Sequence, residues 1–133
     1  MSLDAPRALL DTHLVLWAAA GSARLPAAVA ERLGDPSFVP VYSVASLWEV
    51  VIKSALGRPD FRVDAHALRR GLRAGAWEEL AIGAPHVLAV GTLAALHADP
   101  FDRLLLAQAT AEGLPFWTQD GAVLAYGAPA AAV

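Results

Sequence analysis

The stretch Arg7-Ala8-Leu9-Leu10-Asp11-Thr12-His13-Leu14-Val15-Leu16-Trp17-Ala18-Ala19-Ala20-Gly21 decides the fold. Arg7 to Leu10 reads as a short buried strand ending at Asp11. Thr12 to Ala20 is apolar enough for a buried helix, and Gly21 closes it. A strand feeding directly into a helix is half of a βαβ unit, and the same alternation continues downstream. Pro26 to Leu33 has proline at a helix start and Gly34 just beyond its end. Phe38 to Tyr42 is β-rich. Ser43 opens a helix through Leu56, with Gly57 as its cap and Pro59 beyond. Asp64 to Gly71 or Ala74 is a basic helix, Trp77 to Ile82 a strand and Pro85 to Leu96 a helix. Asp99-Pro100 starts a further helix that Gly113 ends. Leu114 to Thr118 is a fourth strand, Gly121 to Tyr126 one or two turns, and Ala128 to Val133 an edge strand. Alternating strands and helices predict an α/β layer fold with a mainly parallel sheet, whose ligands bind beyond the carboxyl ends of the strands.

Composition agrees with a packed domain. The chain has 133 residues, of which 56% are hydrophobic and 17% charged. That is too apolar and too weakly charged for a disordered segment, and long enough for a core without staples. One domain over residues 1–133 is expected, with residues 1–6 as a flexible start. There are no cysteines, which excludes a disulfide scaffold, a thiolate zinc site and a cysteine nucleophile. No apolar run is long enough for a membrane-spanning helix, and no signal peptide is evident, so a cytoplasmic protein is expected. The net charge is −3 but unevenly spread. Lys53 to Arg73 holds six basic residues against Asp60 and Asp64, a net +4; the remainder carries four basic and eleven acidic residues. That segment is either a polyanion-binding arm or an ordinary solvated helix face.

Four acids sit beside apolar runs: Asp11, Glu49, Asp102 and Asp120. Carboxylates are rarely buried unless paired or metal-bound. Each has a local explanation. Asp11 or Thr12 could cap the first helix. Ser46 and Glu49 match a capping box, and Glu49 with Lys53 an i,i+4 ion pair. Asp99-Pro100-Phe101-Asp102 fits a helix start, and Asp120-Gly121 a turn. Four acids directed to one end of a sheet exceed what capping alone predicts. Such a set suits Mg²⁺ or Mn²⁺, which prefer oxygen ligands, and the chemistry such a site supports is metal-assisted attack of water on a phosphodiester. His13, His66, His86 and His97 lack zinc-ligand spacing; only His97 lies near the acids, where it could support them. No glycine-rich phosphate loop and no serine-hydrolase elbow occur. The four tryptophans, Trp17, Trp48, Trp77 and Trp117, read as core residues rather than base-stacking platforms.

Together, Leu9-Leu10-Asp11-Thr12-His13, Ser46-Leu47-Trp48-Glu49-Val50-Val51-Ile52-Lys53 with Leu56-Gly57-Arg58, His97-Ala98-Asp99-Pro100-Phe101-Asp102-Arg103-Leu104-Leu105-Leu106-Ala107-Gln108-Ala109 and Thr118-Gln119-Asp120 resemble the PIN-domain family, in particular VapC-type toxins of bacterial toxin–antitoxin modules. The motifs run in the family's order across nearly the whole chain. The resemblance implies a Rossmann-like three-layer α/β/α fold, Mg²⁺- or Mn²⁺-dependent cleavage of RNA, and an antitoxin that blocks it. It assigns Asp11, Glu49, Asp102 and Asp120 as the catalytic, metal-holding acids, with Thr12, Thr118 and Asp99 supporting them and Asp99 mainly a helix cap. Gln119 departs from the Arg or Lys of many relatives, which puts phosphate binding or substrate choice in doubt.

The expected function is therefore a metal-dependent endoribonuclease, with Lys53 and Arg58 contacting RNA phosphates and Arg69, Arg70 and Arg73 as weaker candidates. A homodimer with a cognate antitoxin is the expected assembly, with no membrane association. Two other readings stay open: a non-catalytic PIN-like module that only binds a protein, and a receiver-like phosphoacceptor domain. The latter needs a lysine at a strand end, whereas Lys53, the one lysine, reads as mid-helix.

Overall fold

The computed structural model describes residues 4–133. Its element order is β1 (Arg7–Leu10), α1 (Thr12–Ala20), α2 (Ala27–Leu33), β2 (Val39–Ser43), α3 (Val44–Ala55), α4 (Ala65–Ala74) and β3 (Glu78–Leu80). α5 (Ala84–Val90), α6 (Pro100–Glu112), β4 (Phe116–Thr118), α7 (Gly121–Leu124) and β5 (Ala130–Ala132) follow. The five strands form one sheet in the order β3-β2-β1-β4-β5. Every pairing is parallel. The expected α/β fold with a central parallel sheet is therefore present. Of the expected flexible start, residues 1–3 lie outside the described residues. Ala5 and Pro6 accept hydrogen bonds from Arg32 and from the Val39 amide.

Both faces of the sheet are apolar, as a parallel sheet covered by helices requires. The two-residue strand period divides neighbours between two cores. Ala8, Leu10, Tyr42 and Trp117 pack with Leu14 and Val15 of α1, Val29 of α2 and Leu68 and Leu72 of α4. Leu9, Val41 and Phe116 pack with Leu104, Leu105 and Ala109 of α6 and Val123 of α7. These are the two helical layers of the expected three-layer arrangement. No helix among the described residues is long and apolar enough to cross a membrane.

Chain order reverses around β1. The chain passes from β1 to β2 and β3 on one side, then returns through α5 and α6 to β4 on the other. The carboxyl ends of β1 and β4 thus flank a topological switch point, the place where open α/β sheets hold ligands.

Two expectations are corrected. The helix expected over Pro85 to Leu96 ends at Val90, where Gly91 forms its C-cap. The Arg103 guanidinium, reaching from α6, donates to the carbonyls of Val90, Ala94 and His97 and to the Tyr126 hydroxyl. These bonds tie residues 91–99 to α6 as an ordered loop of short turns, in which the Val90 and Ala94 carbonyls also accept the Leu93 and Leu96 amides. The capping box expected at Ser46 is also absent. Ser43 caps α3, because the helix begins where β2 ends, and Ser46 lies inside it.

The basic helix is largely explained by packing. Arg69 makes two hydrogen bonds to Glu79, next to β2, and Arg73 lies 3.8 Å from the same carboxylate. The buried Tyr42 ring lends its hydroxyl to Glu79 at 2.7 Å. The Arg69 and Tyr42 hydrogen bonds hold the Glu79 carboxyl down at about 2. A depressed carboxyl stabilises the fold above its unfolded pKa of 4.5, and this is lost as pH falls through about 2. Glu79→Gln should therefore lower stability at pH 6 by about 1 kcal/mol, the scale of a partly exposed ion pair. Thermal melts of the two proteins should converge towards pH 2. Parallel curves from pH 6 to 2 would mean that the network adds nothing to the fold.

Candidate active site

Asp11 stands at the carboxyl end of β1 and is 7% exposed. Both its oxygens are engaged. Oδ1 accepts the Leu14 amide at 3.2 Å and caps α1. Oδ2 accepts the Thr118 hydroxyl at 2.6 Å, across the switch point from β4. Burial raises the Asp11 carboxyl above its ordinary range, against the opposing pull of the Thr118 and Leu14 bonds. Thr118 in turn accepts the Asp120 amide at 3.0 Å. This local ladder joins the ends of the two central strands.

Asp120 N-caps α7 through Oδ1, which takes the Ala122 amide at 2.8 Å. Its Oδ2 faces His97 Nε2 at 3.9 Å. Asp99 caps α6 by accepting the amides of Phe101 and Asp102 from one oxygen. The expectation that Asp99 is a helix cap is met. Capping and site assembly are therefore compatible at Asp120, where one oxygen ends the helix and the other faces the cluster.

Asp102, in the first turn of α6, receives His97 Nε2 at 2.8 Å. Burial pushes its carboxyl up to about 6; the His97 bond pulls it down, while the charges of Asp99 and Glu49 push it further up. His97 is raised in turn, first by the hydrogen bond to Asp102 and then, against its own desolvation, by the charges of Asp102, Asp120 and Asp99. Among the described residues, His97, Asp102 and Asp120 bring one ligand atom each within 4.8 Å of one another.

Glu49 is 3% exposed, on the buried side of α3. Its Oε2 meets Lys53 Nζ at 2.7 Å, as the i,i+4 spacing predicts. Its Oε1 is buried without a hydrogen-bond partner. One turn earlier Ser46 bonds Thr12 beside Asp11, at 2.8 Å. The Trp48 ring meets Phe101 edge-on at 5.0 Å, which sets α3 against the start of α6. Thr12 thus touches α3 rather than an acid.

Of the nine residues named from sequence, Asp102 and Asp120 are brought together directly, through His97. Asp11 joins Asp120 through Thr118, and the two line one cavity of about 410 Å³. Asp11 and Glu49 lie outside the three-residue group of His97, Asp102 and Asp120, and the Glu49 charge helps raise the Asp102 carboxyl. Lys53 is bound to Glu49, so it belongs to the acid group; as a residue inside α3 it does not meet the strand-end requirement of a receiver-like domain. Arg58 lies exposed beyond α3. Sequence reasoning gave His97 only a supporting place and missed Arg103 and Tyr126, which hold it. The His97 amide donates to the Tyr126 hydroxyl at 3.0 Å, while Arg103 holds the carbonyl. The signal was the proximity of His97 to Asp102 in the chain.

The donor set fits a hard divalent cation. The converging set offers two carboxylates and one imidazole, and a buried, unpartnered Glu49 oxygen lies on the adjoining helix α3.

A toxin–antitoxin complex from Klebsiella pneumoniae has a similar chain, with 18% identity and a TM-score of 0.64 over 95% of each chain. A chain in the crystal structure of VapBC2 from Rickettsia felis, bound to a DNA fragment from their promoter, has 13% identity and a TM-score of 0.65. That likeness covers 96% of this chain and 97% of the other. At such identities the likeness establishes the fold. No curated protein sequence matches. The PIN domain profile matches residues 8–127, nearly the whole chain, and the protein belongs to the PIN-domain family.

Proposed function

We propose that this PIN domain is a Mg²⁺- or Mn²⁺-dependent endoribonuclease, the toxin of a toxin–antitoxin pair. The observation that carries the reading is the convergence of Asp102, Asp120 and His97, with the unpartnered Glu49 oxygen on the adjoining helix. Asp11, Glu49, Asp102 and Asp120 would hold the cation. When bound, it supplies Lewis-acid activation of water and neutralises charge on the scissile phosphate.

The chain's own residues do the rest. Thr118 orients Asp11 by occupying one carboxylate oxygen. Lys53 offsets one charge of the cluster through Glu49. A His97 proton on Nε2 lies where it offsets repulsion between Asp102 and Asp120. At about 5 Å and an effective dielectric near 20, each like-charged pair costs roughly 3 kcal/mol. The site therefore favours whatever positive charge it can recruit.

The antitoxin partner is supported by the structural neighbours, which are chains of toxin–antitoxin complexes. The homodimer is supported by exposed apolar side chains on two helices that both pack on α6: Trp48, Val51 and Ile52 of α3, and Val87 and Leu88 of α5. Val51 and Leu88 are 53% and 75% exposed, an unfavourable arrangement for a lone chain.

Asp11→Asn should lower Mn²⁺-dependent cleavage of RNA by at least about 100-fold while leaving the circular dichroism spectrum unchanged, since charge is lost but little volume. Near-normal cleavage would remove Asp11 from the site. Mn²⁺ at about 100 times its dissociation constant should stabilise the wild type by about 2.7 kcal/mol. In a thermal melt at pH 8, Asp102→Asn should show a clearly smaller rise. Equal responses would mean that the acids only cap helices. Val51→Asp combined with Leu88→Asp should convert a dimer to a monomer in light scattering. A monomeric wild type at micromolar concentration would refute the assembly.

A further inference from the structure

The four acids leave unexplained how a polyanion stays beside them. The cavity shared by Asp11 and Asp120 has a second wall, made by His13, Trp17 and Arg24, and Gln119 also lines it. His13 and Trp17 are one turn apart on α1, the helix that Asp11 caps. Their rings lie 5.9 Å apart, tilted by 48°. Arg24 follows in the α1–α2 loop, where Ser22 Oγ accepts its amide at 3.1 Å and the Ser22 carbonyl accepts the Leu25 amide. The Arg24 guanidinium is exposed and has no ion pair among the described residues, unlike Arg32, Arg69 and Arg73. A larger cavity of about 650 Å³ continues from the same Trp17 and Arg24, over Leu16, Ala20 and Leu68 towards Arg62.

The smaller cavity thus brings carboxylates, an imidazole, the indole of the partly buried Trp17 and a guanidinium into one lining, and the larger one, sharing Trp17 and Arg24, adds apolar side chains and Arg62. This mixture suits a single nucleic-acid strand, whose phosphates seek cations and whose unstacked bases seek flat apolar surfaces. A duplex keeps its bases stacked and offers nothing to the indole.

We propose that Trp17 and Arg24 form a nucleotide subsite for single-stranded RNA. An unpaired base next to the scissile phosphate lies against the Trp17 indole, and the neighbouring phosphate lies on Arg24. The strand leaves the acid cluster across α1 towards α4. This deepens the ribonuclease reading above and rests on it. It also separates the roles of the arginines: Arg69 and Arg73 are spent on Glu79, whereas Arg24 is free to meet phosphate.

The test is steady-state cleavage of a mixed pool of single-stranded RNA oligonucleotides by the full chain with Mn²⁺. The variants are Trp17→Ala, Trp17→Phe, Arg24→Ala and Arg24→Lys, with thermal melts to check folding. Trp17→Ala should raise KM about tenfold, and Trp17→Phe should restore most of it, because a phenyl ring still stacks. Arg24→Ala should lower the slope of log KM against log salt by about 0.7, the loss of one single-strand phosphate contact, and Arg24→Lys should keep it. Folded Trp17→Ala and Arg24→Ala proteins with wild-type KM and salt slope would overturn the subsite and leave the ribonuclease reading standing. That result is also what a groove serving only a peptide partner would give. A wild type that cleaves no RNA would overturn both.

Discussion

Everything at the switch point depends on keeping one carboxylate buried. Asp11 ends the central strand, where main-chain atoms leave the sheet and water is nearly excluded. A bare carboxylate there would cost several kcal/mol. Two hydrogen bonds offset that cost, one from the α1 backbone and one from the Thr118 hydroxyl on the neighbouring strand. The same two bonds fix the start of α1 and the end of β4. The direction of α1 decides where His13 and Trp17 stand, and Thr118 receives the amide of Asp120. Fold and site therefore share their central contact.

Much of this was legible in the chain. Short apolar strands followed by capped helices were sufficient for the parallel sheet, because Leu9 and Leu10 can both be apolar only if both faces are covered. Asp11 and Asp120 follow the carboxyl ends of β1 and β4, as their places beside apolar runs predict. Less legible was how one residue serves two purposes. Asp120 reads from sequence as a turn residue or a site residue; in the structure one of its oxygens caps α7 while the other faces His97. The loop of residues 91–99 was illegible for a different reason. Its sequence has local helical character, yet the helix stops at Gly91 and Arg103 of α6 holds the following loop by its carbonyls. A side chain that acts through backbone carbonyls several residues away leaves no periodic trace.

The cationic residues show the same limit. The basic run from Lys53 to Arg73 reads from sequence either as a polyanion-binding arm or as a solvated helix face. The structure divides it. Lys53 belongs to the acid group, Arg69 and Arg73 bind a sheet-edge carboxylate, and Arg58 is left in solvent. Charge counted along a chain records composition, whereas the available charge is what remains after internal partners are subtracted.

The loop that carries His97 has a further consequence. Arg103 and the Tyr126 hydroxyl contact one another as well as the loop, and Tyr126 belongs to the segment between α7 and β5. The imidazole beside the acids is thus tied to the segment that leads into the edge strand β5. A shift of Tyr126 would reach the imidazole through the loop backbone, since the His97 amide donates to its hydroxyl. The segment between α7 and β5 is in this sense a strut of the loop that carries His97, acting on the imidazole through the scaffold rather than through its surface.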